Sequence, residues 1–210
     1  MTKIRNNLIK KNIQKLITGN FEKLAPTYYR LISEWMNSSY EVFNDIDKYR
    51  IILYLINKDF EHYIQIKKIE SYDNFFMFDK SLELDRINII EISKSLNIPK
   101  ESTRRKILDL EKLNVLQKIG KKIYIDRSAY RLVQPKNTLK NLSALLSKIS
   151  EILKKENLID KSLNVDEVSE HLKENFSYCW YYFYIFIFTL TLRWKKQLGD
   201  LEIYSVGMVI

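Results

Sequence analysis

Apolar residues along this chain recur mostly at three- and four-residue intervals, so the pattern predicts helix nearly throughout. Residues 3–18 set Ile4, Leu8, Ile13 and Leu16 at helical spacing among Lys and Asn, and Thr18-Gly19-Asn20 stops the run. A second helix is predicted to open at Pro26, with Tyr28, Leu31, Ile32 and Trp35 on one face, and to break at Asn37-Ser38-Ser39. From about Tyr40 to Lys68 a longer pattern, including IDKYRIILYLINKDFEHYI, is apolar enough to be a central buried helix. The segment ESYDNFFMFDKSLELDR then reads as a connector whose aromatics pack back on the core.

Residues 88–126, NIIEISKSLNIPKESTRRKILDLEKLNVLQKIGKKIYID, carry a denser set of signals. Asn88 followed three residues later by Glu91 is a capping-box variant, and Ile89, Ile92 and Leu96 give the buried face of the helix it starts. Ser93 is small where a crossing helix must come close, Asn97 suits a sharp left-handed turn, and Pro99 fits the first turn of a new helix. That helix is predicted from about Lys100 to Asn114, with Thr103, Ile107 and Leu110 inward and Glu101, Arg105 and Leu108 outward. A short hairpin with Gly120-Lys121 at its turn follows, and Lys118, Lys121 and Lys122 crowd its tip.

Past Pro135 the segment TLKNLSALLSKISEILKKEN is amphipathic, with a stripe of Leu142, Leu145, Leu146, Ile149, Ile152 and Leu153. LIDKSLN separates it from a last long helical region, 165 to about 197. The expected fold is therefore mainly α, a winged helix-turn-helix flanked by helical regions. The expected division is residues 1–70, helical; 71–134, the winged unit; and 135–210, helical and dimer-forming. An internal echo also appears at an offset of 155: the stretch 28–56 aligns without gaps on 183–209 over its first 27 residues, so that Asp45, Ile46, Asp47 and Tyr49 meet Asp200, Leu201, Glu202 and Tyr204. Chance between two apolar helices and a true repeat both account for it.

Composition narrows the functional classes. The excess of 35 Lys+Arg over 26 Asp+Glu gives +9, which favours a polyanionic partner, nucleic acid or an anionic membrane surface. One cysteine, Cys179, excludes an internal disulfide framework, and His62 and His171 sit on separate patterns without partners at ligand spacing. Gly19, Gly120, Gly199 and Gly207 are too far apart for a phosphate-cradling loop, and no nucleophile motif appears. Neither an enzyme nor a cofactor or metal is expected. The first residues, MTKIRNNLIKKNIQKLI, lack the continuous apolar run of a signal peptide, which suggests a cytoplasmic protein. Scarce Ala, Gly and Pro beside abundant Lys, Ile, Asn and Tyr points to an AT-rich, bacterial or phage genome.

The run at 175–192 has eighteen positions without a charge, the lower limit of a membrane span. Its Tyr, Phe and Trp content and the charged lead-in DEVSEHLKEN favour a helix buried in the subunit or in a dimer interface. Membrane contact is the minority reading.

The motif INIIEISKSLNIPKESTRRKILDLEKLNVL resembles the helix-turn-helix of the bacterial cyclic-AMP receptor protein superfamily and, more loosely, GntR-type and MarR-type regulators. The resemblance covers about 40 of 210 residues. By position it implies base-edge contacts from Lys100, Glu101 and Arg105 and a phosphate contact from Ser102. Pro99 replaces the usual Ser cap, Arg104 stands where a small residue is common and adds a phosphate contact, and no β-rich nucleotide-binding domain precedes the motif. Three successive cations, Arg104, Arg105 and Lys106, near a helix N-terminus call for an anion opposite, which DNA phosphate would supply. The expected partners are double-stranded DNA and a second copy of the chain, and the expected function is sequence-specific transcriptional regulation. The rivals are a replication-initiator type of DNA-binding protein and a winged module for protein or membrane contact. A helical pair with a solvated lysine hairpin is the reading without function.

Overall fold

The computed structural model describes residues 12–77, 82–84, 88–120, 122–125 and 134–203. They form α1 (12–19), α2 (Phe21–Phe43), α3 (Ile46–Gln65), α4 (Tyr72–Met77), β1 (Leu82–Leu84), α5 (Ile89–Leu96) and α6 (Lys100–Lys112). Then come β2 (Leu116–Ile119), β3 (Lys122–Ile125), α7 (Lys136–Lys155), α8 (Val165–Glu174) and α9 (Phe176–Leu198). The protein is mainly α, as the periodicity requires.

Two helix boundaries differ from expectation. α2 opens at Phe21, with Pro26 inside it. Its extra first turn is braced by ring contacts of Phe21 with Tyr28 at 5.7 Å and Tyr29 at 6.2 Å. Asn37-Ser38-Ser39 does not break α2, because Met36 and Ser39 are both fully buried and burial overrides weak helix propensity. The break comes at Asn44, φ 49°, after which Asp45 caps α3 by accepting from the Lys48 amide at 3.0 Å.

The chain divides into two compact units. The first comprises Met1–Trp35 and Pro135–Leu172. Its buried side chains include Leu24, Leu31 and Ile32 of α2, Leu142 and Leu145 of α7, and Val168 and Leu172 of α8. Four of the six residues of the predicted α7 stripe are not buried: Leu146, Ile149, Ile152 and Leu153 are half-buried, while Asn141, Ser143, Ser147 and Ser150 are buried. Each of these polar groups is satisfied. Asn141 donates to Glu34 at 2.5 Å, Ser143 to the Leu139 carbonyl, Ser147 to the Leu163 carbonyl at 2.9 Å, and Ser150 accepts from the Leu163 amide at 2.9 Å.

The second unit, Met36–Gln134 and Lys173–Ile210, is organised by α3 packed along α9. Phe60 meets Phe176 at 5.8 Å and Tyr184 at 6.0 Å, and Tyr54 meets Phe188 at 6.3 Å. The segment expected as a connector contains α4 and β1 instead. Its aromatics do return to the core, where Phe75 sits 4.9 Å from Phe60 and 5.5 Å from Phe176. Ser177 and Glu70 exchange hydrogen bonds that pin the start of α9, Ser177 N–H to the Glu70 carbonyl and Glu70 N–H to Ser177 Oγ. The sheet order is β1-β3-β2, antiparallel, with Leu84 opposite Ile123 and Leu116 opposite Ile125. Ile119 pairs with Lys122, so two residues close the hairpin, and Gly120 takes φ 63°.

α9 is not buried all round. Phe176, Trp180, Phe183, Tyr184, Ile187 and Thr191 face inward, whereas Tyr178, Tyr182, Ile185 and Phe186 are exposed along the other side. Among the described residues no helix is long and apolar enough to cross a membrane. The internal echo has a local counterpart. Asn44 and Gly199 occupy matching positions, both at positive φ (49° and 77°). Asp45 and Asp200 each accept from a backbone amide just downstream, and Ile46 and Leu201 are both buried. Tyr204 of the echo lies outside the described residues.

Candidate nucleic-acid interface

α5 starts where Asn88 accepts a hydrogen bond from the Glu91 amide at 2.8 Å. It ends at Asn97, which adopts φ 51°, ψ 49°, the left-handed conformation Asn tolerates better than most residues. Ser93 Oγ donates to the Ile98 carbonyl at 2.7 Å, closing the turn across the point where α5 and α6 approach. α6 then begins after Pro99 with no side-chain cap, and Thr103 Oγ1 donates back to the Pro99 carbonyl at 3.1 Å. Ile92, Leu96, Ile98, Thr103, Ile107 and Leu110 are buried, so the inward faces are those the sequence predicts except at Ile89, which is half-buried.

α3 is the platform for this pair. Arg50 is fully buried and donates to Asp47 at 2.7 Å and to the Leu96 carbonyl at the end of α5 at 3.1 Å. Asp47 is shared, accepting also from Lys195 of α9 at 2.6 Å. Burial would raise the Asp47 carboxyl, but Arg50 and Lys195 outweigh it and hold it below the ordinary carboxylate range. Further along α3, Tyr54 donates to Glu91 at 2.9 Å and accepts from Ser95 at 3.2 Å. α6 is tied to the start of α3 by Lys48–Asp109 at 3.1 Å and by the Lys106–Asp45 ion pair.

The predicted contact residues separate into two groups. Lys100, Glu101, Arg104 and Arg105 are exposed, Ser102 is half-exposed, and Lys118 is exposed on β2. Arg104 and Arg105 make no hydrogen bond or ion pair among the described residues, and Arg105 lends only a weak field to Asp109. Lys106 differs. Its ammonium is half-buried against Asp45, so one of the three successive cations finds its anion inside the protein. Lys121 lies outside the described residues, and of Lys122 only the strand backbone is described.

Ser102, Arg105 and Lys106 also border a cleft whose other wall carries Asp45, Asp47, Asp200 and Glu202. Partial burial, then Asp200 and Asp45, raise the Glu202 carboxyl, with Lys106 opposing. One flank of α6 is therefore backed by carboxylates, while the side bearing Lys100 and Arg104 faces away from them by helical geometry. That asymmetry was not visible in a count of charges. The signal present in the sequence is Arg50, a charge directly abutting the apolar run IILYLI, because such a residue must find buried partners.

Among the described residues no group of His, Cys, Asp and Glu is arranged to hold a metal ion. No protein-family model, no curated protein and no solved structure matches this chain.

Proposed function

We propose that the chain is a sequence-specific transcriptional regulator of the winged helix-turn-helix type, with α5, α6 and the β2–β3 hairpin as its DNA-binding unit. The observation that carries this reading is the two-sidedness of α6. Its inner face is locked onto α5 and α3 by buried side chains and ion pairs, while its outer face offers Lys100, Glu101, Arg104 and Arg105, which have no hydrogen-bond or ion-pair partner among the described residues. In this reading α6 enters the major groove of double-stranded DNA, where Arg105 pairs with guanine O6 and N7 and Glu101 accepts from cytosine N4. Ser102, Arg104 and Lys118 supply phosphate contacts, joined by Lys121 and Lys122, and Lys106 positions α6 through Asp45. A second copy pairs through the exposed aromatic strip of α9, which gives a roughly palindromic site.

The test is selection of preferred duplexes from a random double-stranded library, followed by anisotropy titrations. Arg105→Ala is expected to cost about 1–3 kcal/mol on the selected duplex and little on random DNA. Equal losses on both would remove Arg105 from base contact, and absence of salt-dependent duplex binding would end the DNA assignment. Lys118→Gln should behave differently, weakening binding to all duplexes alike and lowering the slope of log affinity against log salt by about one. An unchanged slope would place the hairpin off the DNA.

A further inference from the structure

One side chain on the outer strip of α6 does not fit a purely electrostatic contact. Leu108 is 47% exposed, one turn beyond Arg105 and one turn before Lys112, and the rest of that strip (Glu101, Arg105, Lys112) is charged. Ile107 and Leu110 already fill the inward side, so the fold has little use for an apolar group at Leu108.

We propose that Leu108 recognises the 5-methyl group of a thymine in the base pair beside the guanine taken by Arg105. The inference rests on the DNA-binding assignment of α6 and specifies part of its target. Leucine has no donor or acceptor, and the thymine methyl is the one apolar feature that a base pair offers in the major groove. At about 1.5 Å of rise per residue, Leu108 lies roughly 4.5 Å along α6 from Arg105. That is close to one base-pair step of about 3.4 Å. Leucine over a cytosine amine or a guanine edge would leave a polar group without a partner, so the same side chain also selects against the other bases. The preferred half-site therefore contains a G·C pair with a T·A pair at its side.

The experiment uses the full chain and the duplexes selected above, with each thymine replaced singly by deoxyuridine, which removes only the methyl group. Uracil at one thymine next to the guanine sensitive to Arg105→Ala should weaken wild-type binding about fourfold, the worth of burying one methyl group. Leu108→Ala should bind the thymine duplex more weakly by a similar factor and no longer distinguish thymine from uracil there, while Arg105→Ala keeps that distinction. The exposed position also allows Leu108→Gln as a second variant, and the uracil series on the wild type requires no variant. If no thymine-to-uracil change weakens the wild type, or if Leu108→Ala keeps the wild-type ratio at every thymine, the inference is wrong although DNA binding stands. If no duplex is bound selectively, it is the DNA-binding assignment that fails.

Discussion

Arg50→Leu is expected to lower stability by about 3–5 kcal/mol, more than any substitution on the outer face of α6. The guanidinium is fully buried, and its removal leaves the Asp47 carboxylate with Lys195 alone and the Leu96 carbonyl without its donor. Leucine fills much of the volume but satisfies neither group. Urea denaturation followed by tryptophan fluorescence measures the loss, and a change under about 1 kcal/mol would show that the network is replaceable. The pH dependence has a fixed sign. Asp47 sits below its ordinary value of 3.8 in the folded state, so its contribution is fully present above that value and is lost as pH falls through the lower folded one. In Arg50→Leu only Lys195 opposes the effect of burial, and this acid limb of the stability curve should become shallower.

The second large effect separates two neighbouring phenylalanines of α9. Phe183 is 6% exposed, with Trp180 at 5.6 Å and Tyr184 at 6.2 Å, whereas Phe186 is 40% exposed. Phe183→Asp removes a packed ring and places a carboxylate among aromatics, so a loss of about 4 kcal/mol or more is expected. Phe186→Asp should cost about 1 kcal/mol or less in folding, because no cavity or buried charge results. Its proposed effect lies elsewhere: light scattering should give a dimer for the wild type and a monomer for Phe186→Asp. A folded Phe183→Asp would contradict the packing described for α9, and an unchanged mass for Phe186→Asp would remove the exposed strip from subunit contact.

What could be read from the sequence follows how local each signal is. The Asn88 cap, the left-handed Asn97, Pro99 and the inward Thr103, Ile107 and Leu110 depend on residues a few positions apart, and all lie where the pattern places them. Pro26 and Ser39 misled because their local meaning was overridden, the first by the Phe21–Tyr28 contact and the second by complete burial. β1 has three residues, too few for an alternation to register, and exists by pairing with β3 about forty positions later. In the candidate interface, nothing near Lys106 in the sequence distinguishes it from its two exposed neighbours, because its anion, Asp45, lies 61 residues away. The buried Ser147 and Ser150 of α7 carry no local signal of burial, because their acceptor, the Leu163 carbonyl, lies beyond the end of the helix.

The ion pairs behind α6 have a consequence for how the protein would leave DNA. Lys48–Asp109, Lys106–Asp45 and Lys195–Asp47 are partly or largely shielded from solvent, and dissolved ions screen such pairs weakly. The cations of the outer face stand in open solvent, where a Debye length of about 8 Å at physiological ionic strength governs their reach. Rising ionic strength therefore acts unequally on the two sides of one helix. On the proposed reading it would dissolve the grip on phosphate long before it loosened the mount, so the protein would come off DNA folded and ready to bind again when the salt falls.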